Sequence, residues 1–242
     1  MNSQLGLIGM KAKHVVILDV DGVLAKHGQP VSSEVSGLVR EISKRSLIAL
    51  ASGKPASYLE GLSRGIGLSN VIIIGENGGV IYFPEKREEI VFSDLYPEVT
   101  KNLEILATEL NKKLKGKCWF QPNKVTVTAF PKLGFTLKDI LKHFEGVIAE
   151  RGLKGIRLFV HVDAVDAIPE QLDKGWALDI LSDILNISES DFVSVGDSDT
   201  DIPMLSKAGL SICVGNNPDL KKVANKIFAT GVEALNYILE IV

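Results

Sequence analysis

The sequence predicts an α/β fold, a doubly wound parallel sheet interrupted by an α+β insertion. Three observations carry this. Short apolar runs alternate with helical spacings from His14 to Gly75, the rhythm changes to hairpins and long helices after Gly75, and the first rhythm returns from Gly175. Strands alternating with helices imply right-handed crossovers and a parallel sheet.

His14 to Val20 is an apolar run ending in acids, the pattern of a strand buried on both faces. Val35, Leu38, Val39 and Ile42 then recur at helical spacing, with Ser32 or Ser33 as N-cap. Leu47 to Ala51 reads as a second buried strand, Ala56 to Ser63 as a short helix and Val71 to Ile74 as a third strand. Val80 to Phe83 and Glu89 to Phe92 flank a Pro-Glu-Lys-Arg turn and predict a hairpin. Glu98 to Leu114 and Thr136 to Arg151 read as helices, with a hairpin of Cys118 to Gln121 and Val125 to Phe130 between them. Ile156 to Val162 and Val165 to Ile168 form a further strand pair. Hairpins and helices in this order suggest an antiparallel sheet with helices on one face. The parallel rhythm resumes with a helix at Trp176 to Leu185, a strand at Phe192 to Val195, a short helix at Asp201 to Lys207 and a strand at Ser211 to Val214. A helical turn at Leu220 to Ala224, a last strand at Lys226 to Phe228 and a closing helix at Val232 to Leu239 complete the chain. The expected division is residues 1–80 with 174–242 as one domain and 81–173 as the inserted one.

The chain has 242 residues, 45% hydrophobic and 24% charged, with a net charge of −3. That balance offers no basic field for nucleic acid or an anionic membrane. No apolar run approaches the roughly 18 residues of a membrane span. The start lacks the basic and apolar regions of a secretory signal, and Met10, before Lys11 and Lys13, is a second candidate start. Cys118 and Cys213 show no metal-ligand spacing and read as free, packed thiols of a reducing compartment, so the expected location is cytoplasmic.

Asp19-Val20-Asp21-Gly22 stands at the carboxyl end of the first strand, where open α/β sheets bind ligands. Close carboxylates repel unless a cation intervenes, although Asp and Gly also make ordinary caps and turns. Asp197, Asp199 and Asp201 follow another apolar strand, and that segment reads equally as a helix N-terminus. Two such clusters at the ends of parallel strands are better explained by one shared site for a hard cation such as Mg2+. Ser52-Gly53-Lys54 closes the second strand as an anion cradle or a plain turn. Lys174 lies at a helix start, where its charge opposes the helix dipole and hints at another purpose. Asn216-Asn217 would line the same rim, or simply turn the chain. Trp119 and Phe120 are expected to pack rather than face a ligand, and His161 has no metal partner at fixed spacing.

In this order the pieces resemble the haloacid-dehalogenase-like phosphatases over nearly the whole chain. The Asp-x-Asp-Gly box is matched by Asp19, Asp21 and Gly22, the hydroxyl residue by Ser52, the lysine box by Lys174-Gly175, and the acidic box by Gly196, Asp197, Ser198 and Asp201. Glu76-Asn77-Gly78-Gly79 matches the junction where a large cap leaves the core after the third strand. The resemblance implies a Rossmann-like core with an inserted α+β cap domain that acts as a lid. It implies Asp19 as nucleophile, Asp21 as general acid and base, and Ser52, Gly53, Lys174 and Asn217 around the phosphate or substrate. Mg2+ would take Asp19, the backbone carbonyl of Asp21, and Asp197, with Asp201 as a further ligand or an anchor. The implied partner is a small phosphorylated metabolite. The length and the Asp-Lys-Gly-Trp-Ala-Leu run are most similar to archaeal phosphoglycolate phosphatases, with a sugar-phosphate or mannosyl-3-phosphoglycerate phosphatase, a phosphomutase or a non-catalytic phosphate-binding module as alternatives. Three positions depart from the pattern: Val23 for Thr, Lys54 for Arg and Thr200 for Asn. The oligomeric state is left open.

Overall fold

The computed structural model describes residues 14–242, so the alternative start at Met10 lies outside the described residues. The chain divides into two compact units: residues up to Glu89 with Asp173–Val242, and Ile90–Leu172.

The larger unit is built from apolar strands too short and too uniformly hydrophobic for anything but a sheet covered on both faces. Strands β1 (Val15–Asp19), β2 (Leu47–Ala51) and β3 (Val71–Gly75) are buried at every position. Helix α1 (Ser33–Ser43) packs Val35, Val39 and Ile42 inward, and Ser32 caps it by accepting from the Val35 amide at 3.2 Å. Helix α2 (Ala56–Ile66) ends on Gly67 in the left-handed region, φ 91°. A hairpin of β4 (Val80–Phe83) and β5 (Glu88–Val91) follows.

The smaller unit then runs through α3 (Phe92–Leu95), α4 (Pro97–Lys113), β6 (Cys118–Phe120), β7 (Val127–Pro131), α5 (Leu137–Arg151), β8 (Ile156–Val160) and β9 (Val165–Pro169). The larger unit resumes with α6 (Lys174–Leu185), β10 (Phe192–Gly196), α7 (Ile202–Lys207), β11 (Leu210–Val214), α8 (Pro218–Val223), β12 (Lys226–Phe228) and α9 (Gly231–Ile241).

The eight strands of the large sheet run in the order β12-β11-β10-β1-β2-β3-β4-β5, parallel from β12 to β3 and antiparallel where β4 turns back on β3. The α/β architecture expected from the alternation is therefore present. The chain moves outward from β1 in one direction through β2 and β3, and in the other through β10, β11 and β12. A crevice opens at such a switch point, at the carboxyl ends of β1 and β10. Leu18 lies opposite Val195, so Asp19 and Gly196 end adjacent strands together. The β4–β5 hairpin, expected within the insertion at 81–173, continues the large sheet instead. Its apolar residues Val80, Ile81 and Phe83 are buried there, and the division falls after Glu89.

The smaller unit has an antiparallel sheet ordered β6-β7-β9-β8. Val127, Ala129, Val165 and Ala167 pack against Leu103, Leu106, Leu110, Ile140, Phe144 and Val147 of α4 and α5. Alternation along β6 separates the two aromatics expected to pack. Phe120 joins that cluster, whereas Trp119 is 50% exposed with its ring 5.1 Å from that of Phe130. Cys118 and Cys213 are both free and buried, and no helix among the described residues is long and apolar enough to cross a membrane.

Candidate active site

Asp19 is the last residue of β1, and burial of that strand leaves its carboxylate 5% exposed. The chain turns immediately, with Leu24 N–H donating to the Val20 carbonyl at 2.9 Å and Gly22 N–H to that of Ala25 at 2.7 Å. Gly22 has φ 87°, and a Cβ there would lie 1.9 Å from Asp197 Oδ2. Only glycine lets the β1 loop approach the β10 loop so closely.

The β10 loop is held by Asp201. Its Oδ2 accepts from the Asp197 and Ser198 amides at 3.0 Å each and from Ser198 Oγ at 3.1 Å. Its Oδ1 accepts from Lys174 Nζ at 2.5 Å, and the residue is fully buried. Lys174 is the first residue of α6, after Asp173, whose Oδ1 caps the helix by accepting from Trp176 N at 3.0 Å. The ammonium is 2% exposed and also donates to Asp19 Oδ1. The cation that a helix N-terminus disfavours is thus retained by two buried carboxylates.

Carboxylate oxygens of Asp19, Asp197 and Asp201 all lie within 4.8 Å of one another. Burial and then the charge of Asp201 push Asp19 well above the ordinary carboxylate value, although Lys174 pulls it back. Asp197 is pushed up to about 6, again by burial and then by Asp201. Burial would lower the Lys174 value, but Asp19 and Asp201 together hold it above the usual lysine range. Three crowded carboxylates against one ammonium leave an excess of negative charge, and two of them resist ionisation. Hard oxygen donors in that state fit a divalent cation.

Asp21 does not join this cluster. Its Oδ2 accepts from Lys54 Nζ, and His27 Nδ1 lies 3.8 Å from its Oδ1. Lys54 also stands over the Tyr58 ring, 5.6 Å from its centroid. Ala51 lies opposite Asp19, so Ser52 and Gly53 extend beyond β2 beside Asp19. Ser52 is buried; its hydroxyl accepts from Lys54 N at 3.3 Å and its carbonyl from Asn77 N at 3.0 Å. Asn217 is committed elsewhere. Its Oδ1 caps α8 by accepting from Asp219 N and Leu220 N at 3.0 Å each, and its Nδ2 donates to Asp199 Oδ1 at 2.8 Å. The turn reading of Asn217 describes these contacts.

Two neighbours were not assigned roles from sequence. From sequence, Lys54 is only the end of the Ser-Gly-Lys cradle or turn and a departure from the family pattern, and Asn77 only part of a junction. Glu76 and Asn77 both take left-handed φ, 54° and 57°. That conformation costs non-glycine residues roughly 1–2 kcal/mol. Asn77 is buried, and its side chain would lie 3.3 Å from a Cβ on Gly53. The Glu-Asn-Gly-Gly run was the available signal, since Asn and Gly tolerate this region best.

The structure is thus a doubly wound α/β fold with an acidic cluster at its switch point. A family model described as haloacid dehalogenase-like hydrolase matches residues 16–132 and 132–234, and the chain belongs to that family. It is 27% identical over 229 residues to a phosphoglycolate phosphatase from Archaeoglobus fulgidus, covering 92% of this chain and 96% of that one. A phosphoglycolate phosphatase from Thermoplasma volcanium is 28% identical over 212 residues, covering 87% and 89%. Among solved structures, a Thermoplasma acidophilum protein superposes with a TM-score of 0.74 at 18% identity, over 94% of this chain and 97% of its own. A haloacid dehalogenase-like hydrolase from Bacteroides thetaiotaomicron gives 0.72 at 20% identity, over 95% and 99%.

Proposed function

We propose that this enzyme hydrolyses a small phosphorylated metabolite through a phosphorylated Asp19. The observation that carries the reading is the buried Lys174 ammonium between Asp19 and Asp201, with Asp197 in the same cluster. Asp19 attacks phosphorus, and the alcohol leaves with a proton from Asp21. A water then attacks the aspartyl phosphate while Asp21 takes its proton, restoring Asp19 and releasing inorganic phosphate. Lys174 has three N–H donors. Two are used on Asp19 and Asp201, and the third offsets the phosphoryl charge together with the hydroxyl and amides at Ser52-Gly53. Asp19, Asp197 and Asp201 would hold Mg2+, with the Asp21 carbonyl, and the ion would supply the positive charge that a carboxylate and a phosphate dianion otherwise lack. The pairing of Lys54 with Asp21 keeps the proton carrier oriented. Asn217 serves indirectly, by steadying the acidic loop through Asp199.

Phosphoglycolate is what the archaeal relatives' names specify, which makes 2-phosphoglycolate the first substrate to assay. The inserted unit, Ile90–Leu172, is the cap of the family in this reading. Two buried free thiols suit a reducing cytoplasm. The test is phosphate release from a panel of phosphoesters, with Mg2+ and with chelator, by the wild-type protein and Asp19→Asn. Mg2+-dependent release that Asp19→Asn abolishes supports the reading; equal release with chelator, or an undiminished Asp19→Asn enzyme, refutes it.

A further inference from the structure

Lysines crowd one stretch of the smaller unit. From Asn111 to His143 the chain has eight lysines and one acid, Asp139, an excess that the overall charge of −3 conceals. The fold gathers six of these lysines at one end of the unit. Lys113 ends α4, Lys115 and Lys117 stand in the turn to β6, Lys132 directly follows β7, and Lys138 and Lys142 lie in the first two turns of α5. Cys118 pairs with Pro131 across antiparallel strands, so the turn before β6 and the loop after β7 run side by side, and Lys132 N–H donates to the Lys117 carbonyl at 2.9 Å. Lys113 and Lys142 line one cavity of about 320 Å3 with His143, which continues the surface onto the two helices.

All six side chains are exposed. The neighbouring acids do little to neutralise them. Asp139 Oδ2 is turned back to cap α5, accepting from Thr136 N at 3.0 Å and from Thr136 Oγ1 at 2.6 Å, and Glu150 is taken by Lys113 at 2.6 Å. Lys115, Lys117, Lys132, Lys138 and Lys142 form no ion pair among the described residues. Like charges held together repel and weaken the fold, a cost that an anionic surface arriving from outside relieves.

The same end carries an apolar projection. Lys132 to Phe135 is a tight turn, closed by Phe135 N–H donating to the Lys132 carbonyl at 3.0 Å, with Gly134 at φ 84°. Phe135 packs inward against the cluster beneath α4 and α5, whereas Leu133 is 107% exposed and stands clear of the fold. A single exposed leucine is ordinary, but this one is held at a turn tip among lysines. Lys117 and His143 both lie against the Phe135 ring, 5.6 and 6.0 Å from its centroid, so that ring is not open for a nucleic acid base to stack on. An aliphatic tip in a lysine field suits a lipid surface instead: the side chain enters the acyl boundary and the ammonium groups meet headgroup phosphates. We propose that this end of the smaller unit docks on an anionic lipid surface, with Leu133 inserted and the lysines on the headgroups. The docking is independent of what the enzyme hydrolyses.

The test is sedimentation of the full chain with vesicles of phosphatidylcholine alone, or of phosphatidylcholine and phosphatidylglycerol in equal parts. Binding is expected to the mixed vesicles and not to the neutral ones, and it should weaken as salt rises from about 0.1 M to about 0.5 M. Each lysine near such a surface strengthens binding about fivefold. Lys115→Gln/Lys132→Gln/Lys138→Gln should therefore bind about 100-fold more weakly, and the separate pair Lys117→Gln/Lys142→Gln about 25-fold. Leu133→Ser should lose about 10-fold. All of these positions are exposed, so thermal melts of the variants should match wild type. Equal binding to both kinds of vesicle, binding to neither, or undiminished binding by both lysine variants overturns the inference. A single-stranded RNA that binds more tightly than the mixed vesicles, with Leu133→Ser indifferent to either, assigns the lysines to nucleic acid and overturns it as well.

Discussion

Replacing Lys174 by Met tests the electrostatic account of the site. The ammonium is 2% exposed and bonded to Asp19, 5% exposed, and Asp201, fully buried. Met fills a similar volume, so the change is chiefly the loss of a charge and two charge-assisted hydrogen bonds. Removing one partner of a buried ion pair costs about 3–5 kcal/mol, because the remaining charge stays buried and unpaired. At about 2–4 °C per kcal/mol for a chain of this size, the larger unit should melt roughly 6–20 °C lower. The effect depends on pH in a definite direction. Asp19 is already held above its ordinary value, so the stability linked to its proton is present below that value and is lost as pH rises through the raised one. Without Lys174 nothing pulls Asp19 back down, and the deficit should widen from pH 5.5 to pH 8. Scanning calorimetry in chelator at both pH values is the assay, with Asp19→Asn/Lys174→Met as the control that restores part of the loss. A variant that melts within about 2 °C of wild type at pH 8 refutes the reasoning, as does a deficit of equal size at both pH values.

Other outcomes follow from the same geometry. Asp19→Asn should lose about 10⁴-fold or more in phosphate release, as loss of a nucleophile does, yet melt no lower in chelator, because it removes a carboxylate that Asp201 and Asp197 repel. The stabilisation given by Mg2+ should grow as pH rises through about 6, where Asp197 gives up its proton, and paired melting curves at pH 5 and pH 7.5 with and without the ion read this directly. If the increment is the same at both pH values, Asp197 is not a ligand. Gly22→Ala should remove most of the Mg2+-induced shift, since its Cβ would collide with Asp197 Oδ2, and retention of the full shift would contradict that packing. Asn217→Ala should cost about 1 kcal/mol as a lost N-cap and reduce kcat/KM only severalfold; a loss of 10³-fold would return it to the phosphate.

The parallel core was legible because β1, β2, β3 and β10 are uninterrupted apolar runs, and sequence expresses burial on both faces most clearly in that form. The acids at strand ends were legible for the same reason, since an Asp directly after such a run can only sit at its carboxyl end. What pairs with each acid was not. Asp201 bonds Lys174 across a separation of 27 residues and Asp19 bonds it across 155, and no local pattern encodes either meeting. The β4–β5 hairpin could not be assigned to a unit, because antiparallel strands look alike in either sheet. At Asn217 a helix cap uses the amide oxygen and an anion ligand the amide nitrogen, so the sequence leaves both readings open. Trp119 and Phe120 are adjacent, so only the register of β6 reveals which one packs.

Gly78 has φ 103°, and a Cβ there would lie 2.5 Å from the Asp173 carbonyl oxygen. The chain therefore passes the end of β3 and returns for α6 through one tight crossing, backbone against backbone. Asp173 opens the returning segment and Lys174 is the very next residue. The lysine's seat is thus fixed by a glycine crossing and a helix cap that both belong to the larger unit. Whatever sequence is spliced between Glu89 and Asp173, the ammonium arrives at the same place between Asp19 and Asp201.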